Sequence, residues 1–307
     1  MAKTNSAPVP EGTKIKLSAS SLTFYIIAYV VVGLMALICL IPFIVIISGS
    51  FTSEQYINFH GFDIIPREFT TAAYQLVFKT PATIGRAYFV SIFITVVGTF
   101  LGVLITALAA YVIARKDFPY RNKVSFFLYF TTLFNGGMVC SYIFFIRYLH
   151  LKDSYWALIL PGMFSVFHLL IMRSFVTGIP TALIESGKID GAGEYKIFFS
   201  IVLPLLKPGL ATIALFTALG YWNNWYNAML YIDTPEKYPL QYMLYNLLQK
   251  SEAMSRIAAQ AGIYVEAVPT NSLKMAMAVV ATGPILIVYP FVQKYFVQGI
   301  TVGSVKG

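Results

Sequence analysis

The chain has 307 residues, 58% of them hydrophobic and 11% charged, with a mean hydropathy of +0.71 and a net charge of +9. A soluble domain carries about 25% charged residues, and so much apolar surface cannot be hidden inside one water-soluble core. A soluble enzyme, a secreted disulfide scaffold and a disordered chain are thereby excluded, and a polytopic membrane protein remains.

Six apolar stretches follow one another, at 24–48, 87–114, 124–146, 156–172, 209–231 and 275–292. A helix crosses the hydrocarbon core with about 20 apolar residues, so the sequence predicts an all-α membrane protein with six transmembrane helices, the fourth and sixth near the lower limit. Residues 1–23 are polar and carry Lys3, Lys14 and Lys16. The apolar run after them is too long for a signal peptide and no small-x-small cleavage site follows, so 1–23 reads as a tail before an uncleaved first span. The domain then runs over 24–307. With the amino terminus inside, 13 of the 22 basic residues but five of the 13 acids fall on the inner side, leaving +8 there and +1 outside. Arg115, Lys116, Arg121 and Lys123 crowd one short inner loop, the strongest positive-inside signal, and both termini are read as cytoplasmic. Three connections are long enough to have a purpose. Of these, 49–86 and 232–274 face outward and 173–208 faces the cytoplasm.

None of the six spans contains Asp, Glu, Lys or Arg. Carboxylates at mid-membrane mark ion-driven transport, so the driving energy comes from elsewhere. His168 is the one ionisable candidate in a span, and it reads as a hydrogen-bonded bundle residue. Position 182 is Ala and Ile189 follows Gly187-Lys188, so the chain has no phosphate loop of its own. His60, His150 and His168 have no metal-ligand spacing, and no clustered nucleophile, base or ligand set supports a membrane enzyme. Cys39 and Cys140 lie in apolar runs and read as buried packing residues. The chain is therefore expected to need a partner to do work.

The most informative stretch is 179–204. Pro180 suits the first turn of a helix, which puts Ile179, Leu183 and Ile184 on one face and offers Glu185 and Lys188 to another protein. Asp190-Gly191 reads as a turn that exploits glycine's freedom at positive φ. A second helix follows from about Glu194 until Pro204 interrupts it. Two short helices around a glycine turn make a rigid projecting knob.

This stretch resembles the "EAA" coupling loop of ATP-binding-cassette importer permeases. The matching residues are Glu185-Ser186-Gly187, then Ile189-Asp190-Gly191-Ala192, then Ile201-Val202-Leu203-Pro204 with Pro208. Ser186-Gly187 departs from the family's Ala-Ala, and Gly187 should weaken the first helix by up to about 1 kcal/mol relative to Ala. Residues 70–74 and 86–99 are similar to the entry to the permease core in the carbohydrate branch. Tyr221-Trp222-Asn223-Asn224-Trp225 is similar to that branch's aromatic-Asn element, and 293–307 to its Gly-rich tail. The resemblance runs from about residue 70 to the end. It is nearest the smaller, maltose-permease-like subunit of a pair, in the subgroup associated with complex or uronic-acid-containing oligosaccharides.

The resemblance implies a type I importer permease fold in a bacterial cytoplasmic (inner) membrane. It implies a second homologous permease, two cassette ATPase subunits that hydrolyse ATP with Mg, and an extracytoplasmic solute-binding protein. It implies no cofactor on this chain itself and no nucleic-acid partner. Glu185, Ser186, Gly187, Asp190, Gly191, Ala192 and Pro204 would couple to the ATPase, and the tail 299–307 could reach it too. Trp222, Asn223, Trp225, Tyr226 and Asn227 would line a sugar path, with rings on pyranose faces and amides on hydroxyls. The competing reading places the rings at the bilayer interface and the amides across helices. Outer residues 233–270 would touch the binding protein or the partner chain. Two other functions stay open: the same machinery carrying amino acids, peptides or another solute, and a non-transporting membrane sensor or scaffold.

Overall fold

The computed structural model describes residues 19–134, 136–260 and 270–304, and among them the chain is almost wholly helical, with one isolated bridge between Thr52 and Phe69. Lys3, Lys14 and Lys16 of the tail, part of the outer stretch (261–269) and the last residues (305–307) lie outside the described residues. The first span is α1 (Ala19–Ser50), and α2 (Glu54–His60) and α3 (Ala72–Val77) fold the connection after it. Next comes α4 (Pro81–Ala114), with proline in its first turn, where no N–H is needed. Then follow α5 (Arg121–Leu133), α6 (Gly137–Ile143) with a π turn at Phe144–Tyr148, α7 (Tyr155–Ile159) with a 3-10 turn at Leu160–Gly162, and α8 (Val166–Thr177). The knob is α9 (Thr181–Ile189) and α10 (Glu194–Ile197), continued by a π turn at Phe198–Val202 and α11 (Leu203–Leu205). The chain ends with α12 (Lys207–Trp222), α13 (Tyr226–Tyr231), α14 (Leu240–Gln260) and α15 (Asn271–Ser304).

Three of the apolar runs are broken rather than straight. The third splits into α5 and α6 around Gly136 and Gly137, the latter at φ +80°. The fourth bends by 52° between α7 and α8, after Pro161 withholds a backbone donor. The fifth stops at Trp222 and restarts as α13. By length and composition, α1 and α4 can cross a membrane unaided; the bent pairs bring the count to as many as five, and α15 adds a shorter apolar stretch, Asn271–Ile287. The connection 232–274 holds α14, an amphipathic helix with Leu240, Tyr242 and Leu244 buried and Met254 and Ile257 outward. Cys39 and Cys140 are exposed on the chain, which corrects their reading as buried.

The core is organised around α4, which packs on α8, α12 and α14. Gly98, Gly102, Thr106 and Ala110 recur every fourth residue along its buried face. Small residues at that spacing let helix backbones approach, which is how apolar helices associate where lipid offers no hydrophobic contrast. A Cβ at Gly98 would lie 2.5 Å from the ring of Tyr221, and one at Gly102 would lie 2.9 Å from the Met163 carbonyl oxygen. Tyr221 is buried in this seam and donates to the Ile159 carbonyl at 2.6 Å, so α12 is pinned to both α4 and the α7 turn.

At the end opposite the knob, helix starts are tied down by distant side chains. Glu54 of α2 is 7% exposed, and its carboxylate accepts from the backbone N–H groups of Asn271 and Ser272, each at 2.9 Å, and from the Ser272 hydroxyl at 3.0 Å. A carboxylate on the N-terminus of a long helix satisfies orphan donors and complements the helix dipole. Ser91 of α4 accepts from Leu240 N–H at 2.8 Å and so caps α14. Asp153 accepts from the N–H groups of Asp233 and Thr234, the Thr234 hydroxyl and Lys237 Nζ, which joins the corner before α7 to the corner after α13. Burial alone would raise the Asp153 pKa, but the Lys237 and Thr234 hydrogen bonds prevail and hold it well below the usual carboxylate range.

Candidate functional site

The knob forms as its residue types dictate. Pro180 stands at the N-cap of α9, and the helix closes on Asp190 as C-cap with Gly191 at φ +74°. Gly191 N–H donates to the Lys188 carbonyl at 3.0 Å and Ala192 N–H to the Gly187 carbonyl at 2.9 Å, the two bonds of a Schellman motif. Gly187 is buried where the second helix crosses the first. A Cβ there would meet Ile201 Cδ1 at 2.9 Å and Ile197 Cγ1 at 3.3 Å. The departure from Ala-Ala is therefore a point of close approach between the two helices of the knob, whereas the sequence alone suggested a weak spot. Ser186 is exposed and donates to the Leu183 carbonyl at 3.1 Å. Pro204 is exposed within α11, and the break falls at Leu206, where the chain turns by 81° into α12.

Glu185 is exposed, has no hydrogen-bond or ion-pair partner among the described residues, and borders a cavity of about 350 Å³ together with Arg115, Thr181 and Lys188. Lys188, read from sequence as free for another protein, is already engaged: its Nζ lies 3.0 Å from Asp117 and 3.7 Å from Glu194. Arg115 forms ion pairs with both of those acids, and Arg115 and Glu194 both hydrogen-bond the Tyr111 hydroxyl, at 2.9 and 2.8 Å. The hydrogen bonds from Arg115 and then Lys188 hold Asp117 well below the usual carboxylate range. Burial pushes Glu194 upward, but the Tyr111 and Arg115 hydrogen bonds outweigh it and leave the group below its ordinary value. The tip carries two apolar side chains, Ile189 86% and Tyr195 80% exposed, on either side of Gly191.

The aromatic-Asn element divides in two. Trp222 is buried, and its indole N–H donates to the Ala281 carbonyl at 3.0 Å, so it fastens α12 to α15. Asn224 Oδ1 accepts from Asn227 N–H at 3.0 Å and starts α13. Asn223, Trp225 and Tyr226 remain exposed. Trp225 stacks on Tyr245 of α14 with ring centroids 4.5 Å apart, Asn223 Oδ1 accepts from Gln241 at 3.4 Å, and the Tyr226 hydroxyl rests on the Met138 sulfur. His168 is paired with the Thr217 hydroxyl at 3.4 Å and stacked on Phe216.

Among known proteins, the family described as "binding-protein-dependent transport system inner membrane component" matches residues 102–302, a stretch that holds both the knob and the aromatic-Asn element. The chain belongs to that family. The polygalacturonan/rhamnogalacturonan transport system permease protein YtcP of Bacillus subtilis (strain 168) is 41% identical over 284 residues, covering 92% of this chain and 98% of that protein. The trehalose/maltose transport system permease protein MalG of Thermococcus litoralis is 31% identical over 278 residues, covering 89% of this chain and 94% of that protein. A crystal structure of a bacterial ABC transporter involved in the import of the acidic polysaccharide alginate contains a chain that matches with a TM-score of 0.73 and 28% identity, over 92% of this chain and 99% of that one.

The motif residues of this transport-system component thus lie on an exposed knob within the stretch that matches the family. Sequence reasoning missed Tyr111, Arg115 and Asp117 as members of the same site. The basic loop that contains Arg115 was visible as a topology signal, but nothing local pairs it with a residue 79 positions away. Ile189 and Tyr195 could have been singled out as apolar residues flanking a polar turn.

Proposed function

We propose that this chain is the permease subunit of an ATP-driven importer for oligosaccharides, forming half of the translocation path and coupled to a partner ATPase through 179–204. The observation that carries the reading is the knob, closed by a Schellman motif and presenting a carboxylate with no partner among the described residues and two apolar side chains. Glu185, Ser186, Gly187, Asp190, Gly191, Ala192 and Pro204 form or shape its contact surface, with Ile189 and Tyr195 as its anchors. ATP and Mg act in two cassette ATPase subunits, and a second homologous permease and an extracytoplasmic solute-binding protein complete the assembly. Movement of the ATPase pair shifts the docked knob and switches the spans between two packings. Relatives named for polygalacturonan, rhamnogalacturonan and alginate support an acidic, uronate-containing cargo. Asn223, Trp225, Tyr226 and Asn227 would meet that cargo, whereas the burial of Trp222 supports a packing role. Six crossings in the bacterial cytoplasmic membrane, with both termini and the knob inside, complete the reading.

Affinity purification of the chain from native membranes in mild detergent tests it. The expected outcome is recovery of a second permease, a cassette ATPase and a solute-binding protein that retains uronate oligosaccharides. Recovery of the chain alone, under conditions that preserve a known importer, would refute the assignment.

A further inference from the structure

Arg115 stands where α4 ends, and its side chain is 14% exposed although it belongs to a solvent-facing corner. A guanidinium is withdrawn from water at little cost only when its donors are matched, and here each direction of the fork is used. Nε donates to Asp117 at 2.7 Å, one terminal nitrogen reaches the second Asp117 oxygen, and the other reaches Glu194 and the Tyr111 hydroxyl. Lys188 of α9 closes the circuit from the knob's side, onto Asp117 and Glu194. Two cations and two carboxylates thus neutralise one another across α4, α9 and α10.

We propose that Arg115, with Asp117, Lys188 and Glu194, latches the coupling knob to the end of α4, so that α4 carries the knob's displacement to the opposite face. The proposal rests on the permease reading and names positioning residues within it. Three observations support it together. Directly beneath the charges, Tyr111 of α4 packs against Phe198 with ring centroids 5.4 Å apart, so the latch crowns a buried apolar joint. The charges on the knob's inner side are consumed within the chain, which leaves Glu185 and the tip for a partner. At its other end α4 holds the opposite layer: Ser91 caps α14, and Tyr88 donates to the Val280 carbonyl of α15 at 2.8 Å. From Ser91 to Arg115 the helix spans about 36 Å. Arginine is required because a lysine is a point donor and cannot serve two carboxylates and a phenol in fixed directions.

The test uses the full importer in proteoliposomes, with Cys39 and Cys140 replaced by serine and nitroxide labels on Lys116→Cys and Lys196→Cys, both exposed and outside the latch. The parent is expected to give one narrow interspin distance distribution. Arg115→Met and the near-isosteric Glu194→Gln should each broaden it and raise the ATP hydrolysed per solute imported by about five-fold or more, the scale of an allosteric coupling. Arg115→Lys should recover part of both effects. Glu194→Gln keeps the question answerable if Arg115→Met does not fold. Distributions as narrow as the parent's in both variants, or an unchanged hydrolysis-to-import ratio in both, overturn the latch. A parent complex that imports nothing overturns the permease reading instead, and the distance measurement still judges the latch.

Discussion

Replacing Gly191 by valine acts on a single backbone torsion. A Cβ at this position meets no atom within 4 Å, so the substitution introduces no clash, and its cost is that of an L residue at φ +74°. A left-handed conformation costs an ordinary residue about 1–2 kcal/mol, with β-branched side chains at the upper end. The alternative is for the turn to flip to negative φ, which forfeits the Gly191 and Ala192 N–H bonds back into α9 at about 1 kcal/mol each. Both routes therefore cost about 2 kcal/mol, and the second also re-aims Ile189. With the two forms level, the docking-competent turn falls from nearly full occupancy to about half, about a two-fold loss. Initial uptake rates in proteoliposomes carrying the whole complex should fall on that scale for Gly191→Val and much less for Gly191→Asn, since asparagine tolerates left-handed backbone. Membrane insertion, followed by the amount of complex recovered, should not change. A Gly191→Val importer running at the wild-type rate would show that the turn geometry does not govern coupling.

Glu54→Ala strips the start of α15 of its carboxylate and should lower stability by about 1.5–3 kcal/mol, read as a drop in Tm in detergent; an unchanged Tm means the Glu54 bonds contribute nothing. Tyr221→Phe orphans the buried Ile159 carbonyl at a cost of about 1–3 kcal/mol. Gly98→Ala drives a Cβ into the Tyr221 ring for about the same cost, and the two changes should not add, because displacing the ring also disturbs its hydroxyl bond; strict additivity in a double-mutant cycle would contradict the packing described. Asp153 has a depressed folded pKa, so its contribution is complete above the unfolded value of about 4 and is lost as pH falls through the folded one. The Tm gap between wild type and Asp153→Asn should stay constant from pH 7 to 5 and shrink only below about pH 4; a gap already closing at pH 6 would place the effect elsewhere.

Much of the fold was legible because apolar length is a local property. The six runs marked where helices lie, and 179–204 announced its turn through Pro180, Asp190 and Gly191. The interruptions were harder to read. Pro161 and Gly136-Gly137 sit inside runs that remain apolar on both sides, so hydropathy averages pass over them, although each removes a donor or frees a torsion. Gly187 shows the limit most clearly. On its own helix it is a weak propensity, and its reason lies in Ile197 and Ile201 across the turn. Trp222 drew attention as an aromatic in a family motif, and its burial and its hydrogen bond to Ala281 separate it from Trp225. The pairing of Arg115 with Glu194, and of Glu54 with Asn271, depends on where helix ends arrive in space. No periodicity encodes that.

The first helix and the last one pack on each other. From Thr23 to Ile44 nearly every side chain of α1 is exposed on the chain, and α15 begins more than two hundred residues later. During synthesis α1 therefore waits for its neighbour until the end of the chain has been made, and closing so long a loop is the slow, high-contact-order step of folding. The exposed length of α1 is more apolar than α4 and has no seam of small residues like the one on α4, as a helix solvated by lipid along most of its length requires.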